Sequence, residues 1–417
     1  MIMGISFEQR QALSVAQNLT TGVLFITGKA GTGKSTILRE LRDSGSYIVL
    51  APTGLAATNV RGQTIHSFFG IRPGPLNDIR ALGRRSRQAL QAARAIVIDE
   101  VSMVRADLLD AMDQALRLTK GNDERFGGVP MIFFGDPFQI EPVVGNASED
   151  QMLKERYPSH FFFDAAALLA GFQLIELSTV YRQSGDPEFI EALNQLRQGD
   201  MRGLETVNQR ALAIPSESAI TVTTTNARAD AINAQRLRQI EGDVVTFEAS
   251  KDGDYRGQAP APENLQLKIG ARVMVVANKD GGRTYSNGDL GFVKDISETE
   301  ILVELDRGRV ESIELNQWET LAYTYEGGKL SAEVIGTFTQ FPLKLGWAVT
   351  THKAQGQTFD SVHLTLETRA FAHGQTYVAL SRCRSLAGLT LARELTSEDM
   401  FLDTRVSRWV DSLKVAS

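Results

Sequence analysis

The sequence predicts an α/β protein with parallel sheets, and three observations carry this prediction. Four short apolar runs in the first half, VLFIT, SYIVLA, AIVI and MIFFG, alternate with amphipathic stretches and are typical of buried parallel strands. Each run ends in polar, glycine-rich or acidic residues, as expected at the carboxyl ends of an open doubly wound sheet. The length of 417 residues suffices for two or three domains. We therefore expect functional residues directly after these strands.

The second half repeats this texture without repeating the sequence. Strand-like runs occur at 174–177, 219–224, 361–366 and 388–392, but the second half lacks a glycine-rich phosphate loop of its own. Between residues 283 and 340 the runs give way to short alternating segments separated by Gly, Asp and Asn. This pattern predicts a small antiparallel barrel inserted into the second half.

Composition excludes several classes of protein. Hydrophobic residues make up 42% and charged residues 23%, which excludes disordered, collagen-like and disulfide-scaffold chains. Cys383 is the single cysteine, so neither an intramolecular disulfide nor a cysteine-based zinc site can form, and five scattered histidines suggest no metal cluster. We therefore expect a reducing, intracellular setting.

Membrane association and bulk charge are also informative. The longest uncharged stretch, 44–60, is too short and too broken by Gly and Pro to span a membrane, and the first residues do not resemble a signal peptide. The net charge is -6, so binding to nucleic acid requires a local basic patch.

Residues 28–35 read GKAGTGKS, which matches the phosphate-binding pattern GxxxxGK[ST] between a predicted strand and a predicted helix. Glycines let successive backbone N–H groups face phosphate oxygens, Lys34 reaches the β- and γ-phosphates, and the Ser35 hydroxyl suits Mg²⁺. The alternative is a glycine-rich turn with a chance lysine. The nucleotide-binding candidates here are Gly28, Ala30, Gly31, Thr32, Gly33, Lys34, Ser35 and Thr36.

Two further strands end in side chains suited to phosphoryl transfer. In IVIDEVSM, Asp99 is a candidate Mg²⁺ ligand and Glu100 a candidate general base for water. In MIFFGDPFQIEPV, the Gln139 amide is a candidate sensor of the γ-phosphate. The alternatives are two solvated acids after a strand, and a proline-stiffened turn.

Positive charge on the γ-phosphate is expected from the second half. An arginine finger accelerates phosphoryl transfer by about 10³- to 10⁵-fold, and Arg182 in LSTVYRQ and Arg382 in YVALSRCR are the candidates. Taken singly, such an arginine is more often a surface residue, and the functional interpretation depends on the surrounding motifs. A guanine-binding NKxD motif is incomplete at Gly281, and the LSGGQ signature of ABC proteins is absent, which disfavours both classes.

The order of motifs resembles superfamily 1 helicases of the 5′-to-3′ subgroup, and specifically Pif-type DNA helicases. The resemblance covers residues 5 to 393 and rests on GKAGTGKST, APTGLAATNVRGQTIHSFFGI, VIDEVSM, FGGVPMIFFGDPFQIEPV, LSTVYRQ, LRQG, FPLKLGWAVTTHKAQGQTF and YVALSR. It implies that Gln9 reads adenine and that Gly356 joins the two arginines at the phosphates. It further implies a minimal helicase core of bacterial or phage type, with a cytoplasmic, nucleoid-associated location.

The chain departs from the family pattern at three positions. Arg125 stands where the family usually has proline before FGG, and Ile140 and Glu141 stand where Leu-Pro is usual before the last Pro-Val. These departures concern the stiffness of two loops rather than the nucleotide chemistry.

The resemblance also implies contacts with a DNA strand. Hydroxyl and backbone N–H groups suit phosphates, whereas the rings of Phe68 and Phe138 either stack on bases or pack in the core. The candidate DNA-binding residues are Thr53, Gly54, Thr64, His66, Phe68, Pro137, Phe138, Asn226, Asn278, Asn287, His352 and Lys353.

A basic stretch lies where the family has a small wedge. Six arginines (72, 80, 84, 85, 87 and 94) face a single acid, Asp78, in a chain that is acidic as a whole. We expect Arg84, Arg85 and Arg87 to contact DNA, and a solvated helix face is the alternative.

The resulting prediction is an ATP- and Mg²⁺-dependent DNA helicase that translocates 5′ to 3′ on single-stranded DNA and unwinds forked or structured DNA, with no membrane partner and with a monomer sufficient. Two RecA-like P-loop domains are expected, at 1–172 and at 173–282 with 341–417, with the wedge at about 71–94 and the barrel at 283–340. The alternatives are a translocase or RNA-directed ATPase that separates no DNA duplex, and a nucleotide-gated DNA-binding module.

Overall fold

The computed structural model describes residues 5–71, 76, 78–145, 147–181, 185–255, 259–280, 283–326, 329–366, 370 and 372–416. The first lobe contains six strands: β1 (Val23–Gly28), β2 (Tyr47–Ala51), β3 (Gln63–Thr64), β4 (Ala95–Ile98), β5 (Met131–Gly135) and β6 (Gln173–Leu177). They form one parallel sheet in the order β3-β2-β4-β5-β1-β6. All four predicted apolar runs are therefore confirmed as strands.

Helices cover the sheet and bury it. They are α1 (Phe7–Asn18), α2 (Lys34–Asp43), α3 (Gly54–Val60), α4 (Ile65–Phe69), α5 (Arg84–Ala92), α6 (Ala106–Lys120) and α7 (Ala147–Arg156). Short 3-10 turns occupy Val101–Met103, Arg125–Gly128, Phe162–Asp164 and Ala166–Leu168. Every residue of β1, β2, β4 and β5 is buried, which explains why these strands read as continuous apolar runs.

The remaining strands and helices belong to the second half. The strands are β7 (Ile220–Thr223), β8 (Val245–Glu248), β9 (Ser250–Gly253), β10 (Asn264–Leu267), β11 (Arg272–Val275), β12 (Leu290–Ile296), β13 (Glu300–Leu305), β14 (Val310–Glu314), β15 (Asn316–Glu326), β16 (Lys329–Gln340), β17 (Leu343–Leu345), β18 (Ala348–Thr350), β19 (Val362–Leu364) and β20 (Leu389–Leu391). The helices are α8 (Pro187–Arg197), α9 (Gly203–Asn208), α10 (Asn226–Gln239), α11 (Thr351–Ala354), α12 (Gln375–Leu380) and α13 (Thr404–Ala416), with a 3-10 turn at Ser397–Asp399.

The second lobe is built on a smaller parallel sheet in the order β18-β7-β19-β20. Its core contains the apolar faces of α8 and α12, with Phe189, Leu193 and Val378 among the buried residues. The two parallel sheets confirm the predicted α/β fold class.

The inserted region is larger than the sequence predicts. Antiparallel strands form a five-stranded sheet (β14-β13-β12-β11-β17), a three-stranded sheet (β15-β16-β9) and a pair (β10-β8). The expected bounds of 283 and 340 are therefore too narrow, because β8 begins at Val245 and β17 ends at Leu345. The long hairpin of β15 and β16 also leaves the five-stranded sheet and packs beside α5.

The expected lobe boundaries are wrong at both ends of the second lobe. β6 pairs with β1 in the first sheet, so the boundary at 172 falls one strand too early. The C-terminal helix α13 returns to the first lobe, where Trp409 stacks on Phe163 with ring centroids 4.4 Å apart. No helix among the described residues combines the length and the apolar character needed to cross a membrane.

Candidate functional site

The glycine-rich loop after β1 curls as the sequence predicts. Gly31 and Gly33 have φ of +82° and +85°, a backbone conformation that residues with a side chain rarely adopt. Gly33 is the N-cap residue of α2. A Cβ at Gly33 would lie 2.0 Å from Nε2 of Gln9, so a side chain there would displace the Gln9 amide in addition to straining the backbone. The loop thus opens onto a helix N-terminus, where backbone N–H groups favour anions.

Lys34 is folded against the loop in this structure. Its Nζ donates hydrogen bonds to the carbonyl oxygens of Gly28 (2.6 Å) and Lys29 (3.1 Å). Burial lowers the pKa of Lys34, and the negative charges of Asp136 and Glu100 oppose this shift. A phosphate is the type of partner that would restore full charge stabilisation to this ammonium group.

Gln9 lies directly behind the loop. It is buried, its Nε2 donates to the carbonyl of Thr32 (3.2 Å) and its Oε1 accepts from the N–H of Ser6 (3.0 Å). The second bond completes a capping box at the start of α1. In this arrangement the amide ties α1 to the loop. Adenine recognition by Gln9 therefore stays a prediction.

The two adjacent carboxylates lie at the end of β4. The backbone of Glu100 has φ of +50°, a left-handed conformation that is uncommon for residues other than glycine. Burial, followed by the charge of Glu100, raises the pKa of Asp99 to about 7. Burial also raises the pKa of Glu100 against the charge of Lys34. A cation bound nearby would therefore stabilise the charged forms of both carboxylates.

Arg382 reaches the same crevice from the second lobe. Only 1% of the residue is exposed, and its guanidinium donates to the carbonyls of Val378 (2.8 Å) and Gln357 (3.1 Å) and to the hydroxyl of Ser381 (2.7 Å). It lines a cavity of about 510 Å³ together with Ala30, Gly31, Thr32, Gly33, Lys34, Ser35, Glu100, Gln139, Tyr181, Gly356, Thr358 and Arg384. The other predicted arginine, Arg182, lies outside the described residues.

Sequence reasoning missed a glutamine that joins the two lobes at this cavity. Nε2 of Gln355, in the second lobe, donates to Glu100 Oε2 and to Gln139 Oε1, both at 3.1 Å. Gln355 stands inside the motif THKAQGQTF, so the motif itself was the available signal. A glutamine in a loop carries no chemistry that marks it in isolation.

A buried ion pair beside the cavity was missed as well. Arg197, at the end of α8, donates to Asp136 after β5 with an Nη2 to Oδ1 distance of 2.8 Å. Burial alone would raise the pKa of Asp136, but the charge and hydrogen bonds of Arg197 outweigh it and the pKa is lowered. Arg197 lies within LRQG and Asp136 within FFGDPF, two segments of the family pattern.

Four DNA-binding candidates line a common cleft. Gly54 and Thr64 of the first lobe face Asn278 and Asn287 of the inserted region across a cavity of about 360 Å³. Nδ2 of Asn287 donates to Oδ1 of Asn59 in the first lobe (2.9 Å), so the cleft is bridged. The Thr53 and Thr64 hydroxyls cap α3 and α4 by accepting from the backbone N–H groups of Ala56 and Ser67.

The two aromatic candidates do not offer a ring to a strand in this structure. Phe68 is 1% exposed and packs edge-on against Phe69 and Tyr323 in the first core. Phe138 is 4% exposed and lies under the guanidinium of Arg197, 4.3 Å from it. Both rings fill space between packed elements here, and stacking of either ring on a base stays a prediction. The neighbouring Pro137 contributes its carbonyl oxygen to a hydrogen bond with His373.

The remaining DNA-binding candidates are spread over the two lobes. Lys353 lines a cavity of about 700 Å³ in the second lobe with Lys344, whose pKa burial lowers to about 8. His66 and His352 are half-buried, and burial lowers the pKa of each. Asn226 is exposed at the start of α10.

Most arginines of the basic stretch have protein acceptors. Arg72 lies outside the described residues. Arg80 pairs with Asp78 at the surface, Arg85 pairs with Glu333 on β16, Arg87 donates to the carbonyl of Leu82 and Arg94 to that of Gln17. Arg84 is exposed at the first position of α5.

The donor set suits a magnesium ion that keeps most of its ligands from water and phosphate. In the part of the chain that the structure describes, no group of three or more His, Cys, Asp or Glu side chains could hold a metal. Ser35 lines the cavity and Asp99 interacts electrostatically with Lys34, so a hydroxyl and a carboxylate could serve as ligands beside the phosphate oxygens.

Comparison with known proteins identifies a family model and similar proteins. A family model described as PIF1-like helicase matches residues 4–206. The chain is 34% identical to the human ATP-dependent DNA helicase PIF1 over 92% of its own length, and it spans about 60% of the length of that protein.

Solved structures of Pif1 from Bacteroides sp. cover the whole chain. The complex with ADP-AlF4 has a TM-score of 0.90 at 35% identity, covering 100% of this chain and 98% of the other. The structure bound to single-stranded DNA has the same 35% identity but a TM-score of 0.72, covering 99% and 98%. By identity, coverage and fold, this chain belongs to the PIF1-like helicase family.

Proposed function

We propose that this chain is an ATP- and Mg²⁺-dependent DNA helicase that moves along single-stranded DNA. The observation that carries the proposal is the cavity between the lobes, where the phosphate loop of the first lobe faces Arg382 of the second. The ADP-AlF4 complex of the Bacteroides relative, which mimics phosphoryl transfer, supports nucleotide hydrolysis in this crevice. The 5′-to-3′ direction rests on family membership.

Each residue of the crevice has a distinct task. The loop N–H groups and Lys34 bind phosphate oxygens, and Glu100 accepts the proton of the attacking water. Arg382, held by three hydrogen bonds, stabilises the negative charge that develops on the transferred phosphoryl group. Ser35 and Asp99 would hold Mg²⁺, which neutralises phosphate charge when bound.

Gln355 connects this chemistry to motion of the lobes. Its hydrogen bond to Glu100 joins the two lobes, so opening the cleft would break the contact between Gln355 and the candidate base, while a second bond reaches the candidate γ-phosphate sensor Gln139. Nucleotide-dependent closure would then alternate the grip on DNA of the two lobes. Lys34, Glu100 and Arg382 belong to one chain, so we propose that hydrolysis needs no second copy.

The DNA strand would run over the bridged cleft and the lysine-lined cavity of the second lobe. A Bacteroides relative binds single-stranded DNA, and its fold then differs more from this structure at unchanged sequence identity. Strand binding therefore rearranges the domains of this chain in our proposal.

The test measures ATP hydrolysis with and without single-stranded DNA, together with unwinding of a fork that carries a 5′ tail. Lys34→Ala is expected to abolish both activities, because the lysine contacts the phosphates, whereas Lys154→Ala, at an exposed ion pair, is the matched control. Normal turnover in Lys34→Ala would refute the proposal. DNA-stimulated hydrolysis without unwinding would favour a translocase. Unwinding of RNA forks but not of DNA forks would favour an RNA-directed enzyme.

A further inference from the structure

The turn that follows β5, residues 136–141, belongs to the first lobe by sequence but is held by the second. Arg197 of α8 binds Asp136 at the start of the turn. The imidazole of His373, before α12, donates from Nε2 to the carbonyl of Pro137 (3.0 Å). Gly374 lies so close that a Cβ there would be 2.4 Å from the carbonyl oxygen of Phe138. The second lobe therefore contacts the turn at three successive residues.

The end of the turn enters the second lobe outright. Ile140 is fully buried and belongs to the hydrophobic core of that lobe, with Phe189 and Leu193 of α8. Gln139, the candidate γ-phosphate sensor, precedes it directly and is 6% exposed. The position of Gln139 thus depends on how the two lobes hold this turn.

Glu141 closes the turn with both carboxylate oxygens. Its Oε2 accepts from Nε2 of His160 in the first lobe (2.8 Å), and its Oε1 accepts from the backbone N–H of His373 in the second (2.9 Å). Burial alone would raise the pKa of Glu141, but these two hydrogen bonds outweigh it and the pKa is lowered. A carboxylate stands here in place of the proline usual in the family.

We propose that Glu141 is a positioning residue that joins His160 of the first lobe to the main chain of His373 in the second, and thereby holds Gln139 at the nucleotide crevice. A proline at this position could stiffen the turn but could accept neither hydrogen bond through its side chain. The inference rests on the proposed function, because it concerns the same crevice.

Glu141→Ala removes both hydrogen bonds and leaves the phosphate loop untouched. We expect the kcat of ATP hydrolysis to fall about 10-fold, while the KM for ATP stays within about twofold of the wild-type value. The physical reason is that displacing a catalytic group by about 1 Å can lower the rate by up to about 100-fold. Glu141→Gln keeps an acceptor for the His373 N–H and loses the charge toward His160, so an intermediate kcat is expected. Asp150→Asn, at an exposed ion pair on α7, is the matched control.

Hydrogen exchange measures the contact directly. The amide of His373 should exchange faster in Glu141→Ala than in the wild type, and His160→Ala should lower kcat without changing exchange at His373. Equal kcat in wild type and Glu141→Ala would overturn the proposal, as would a lower melting temperature with unchanged kcat and unchanged exchange. If Glu141→Ala does not fold, Glu141→Gln and His160→Ala carry the same test.

The two proposals fail in different ways. A wild-type protein that hydrolyses no ATP would refute the proposed function and this inference with it. A wild type that hydrolyses ATP beside an equally active Glu141→Ala would refute the positioning role alone.

Discussion

Burial disfavours the charged forms of three residues of the nucleotide crevice. Burial lowers the pKa of Lys34 and raises the pKa values of Asp99 and Glu100, so each group is held away from its preferred solvation. Ionised groups in such surroundings need a partner, because burying an unpaired charge costs several kcal/mol (about 3 or more). A nucleotide with its cation supplies charges of both signs, and this complementarity is why these residue types occur together.

Arg382→Ala should separate binding from turnover. We expect kcat to fall about 10³-fold, the lower end of the contribution of an arginine finger, while a fluorescent ATP analogue still binds with an affinity within a few-fold of the wild type. Arg382→Lys should not restore the rate, since an ammonium group cannot replace the planar guanidinium fork. Arg202→Ala, at an exposed ion pair, is the control. Wild-type turnover in Arg382→Ala would contradict the assignment.

The ion pair of Asp136 and Arg197 predicts an acid-dependent loss of stability. Breaking a buried pair costs about 3–5 kcal/mol, so Asp136→Asn should lower the free energy of unfolding by that order at pH 7. The folded pKa of Asp136 is depressed below 3.8, so its contribution is complete above the unfolded pKa and is lost as the pH falls through the folded one. Urea unfolding should show the two proteins converging below about pH 4. A pH-independent difference would argue against the pair.

Residues within short motifs of recognised chemistry could be proposed from the sequence, whereas Gln355 and Arg197, whose partners lie in the other lobe, could not. Lys34, Asp99 and Glu100 follow apolar strands in short motifs, and the structure places Lys34 and Glu100 in one cavity with Arg382. Gln355 and Arg197 gain their roles only from partners at least 60 residues away in sequence, a separation that spacing cannot reveal. Phe68 and Phe138 were equally ambiguous, because a buried ring and a stacking ring read alike.

Elements buried on both faces were the easiest to predict. β1, β2, β4 and β5 are wholly buried and read as unbroken apolar runs. β6 has the weaker, mostly exposed pattern of an edge strand, and nothing in LIEL tells which sheet it joins. The hairpin of β15 and β16 is longer than the alternating segments suggested, so the barrel was expected to be smaller than the inserted region is.

The helix α5 predicts how DNA binding responds to salt. Replacing Arg84, Arg85 and Arg87 together by alanine should make the binding of single-stranded DNA less sensitive to salt. The negative slope of the log of the association constant against the log of the salt concentration should become shallower by about 0.7 for each phosphate that the variant no longer neutralises. Arg85→Ala alone should change the slope less than Arg84→Ala, because Glu333 already pairs with Arg85. Fluorescence anisotropy at several salt concentrations measures this. An unchanged slope in the triple variant would mean that these arginines form a solvated helix face and do not contact DNA.

At the scale of the whole molecule, each lobe contains elements that the sequence order would assign to the other. The chain leaves the first lobe after β6 and returns as α13, whose Trp409 stacks on Phe163. The turn at 136–141 runs in the opposite sense, from the first lobe into the core of the second. Domain boundaries drawn from sequence assume contiguous units, and this exchange of elements is what such boundaries cannot capture.

We expect single-stranded DNA to release the inserted region from the first lobe. Three polar interactions among the described residues hold this region to the first lobe: the ion pair of Arg85 and Glu333, the bond from the Val49 N–H to the Tyr323 hydroxyl (3.1 Å), and the amide pair of Asn287 and Asn59. These three polar contacts contribute only a few kcal/mol (about 1 each), in addition to the packing of Tyr323 on Phe68 and of the hairpin on α5. DNA binding can therefore outweigh them.

The Bacteroides relative supports this reasoning, since its nucleotide and DNA complexes differ in their similarity to this chain at equal sequence identity. We expect single-stranded DNA to increase hydrogen exchange at the Val49 amide and to change the small-angle scattering profile. Tyr323→Phe, which removes the acceptor hydroxyl, should tighten DNA binding a few-fold, because it weakens the docked state by a hydrogen bond that the DNA-bound state does not need. Unchanged scattering and unchanged exchange on saturation with DNA would mean that the inserted region stays docked while the strand binds.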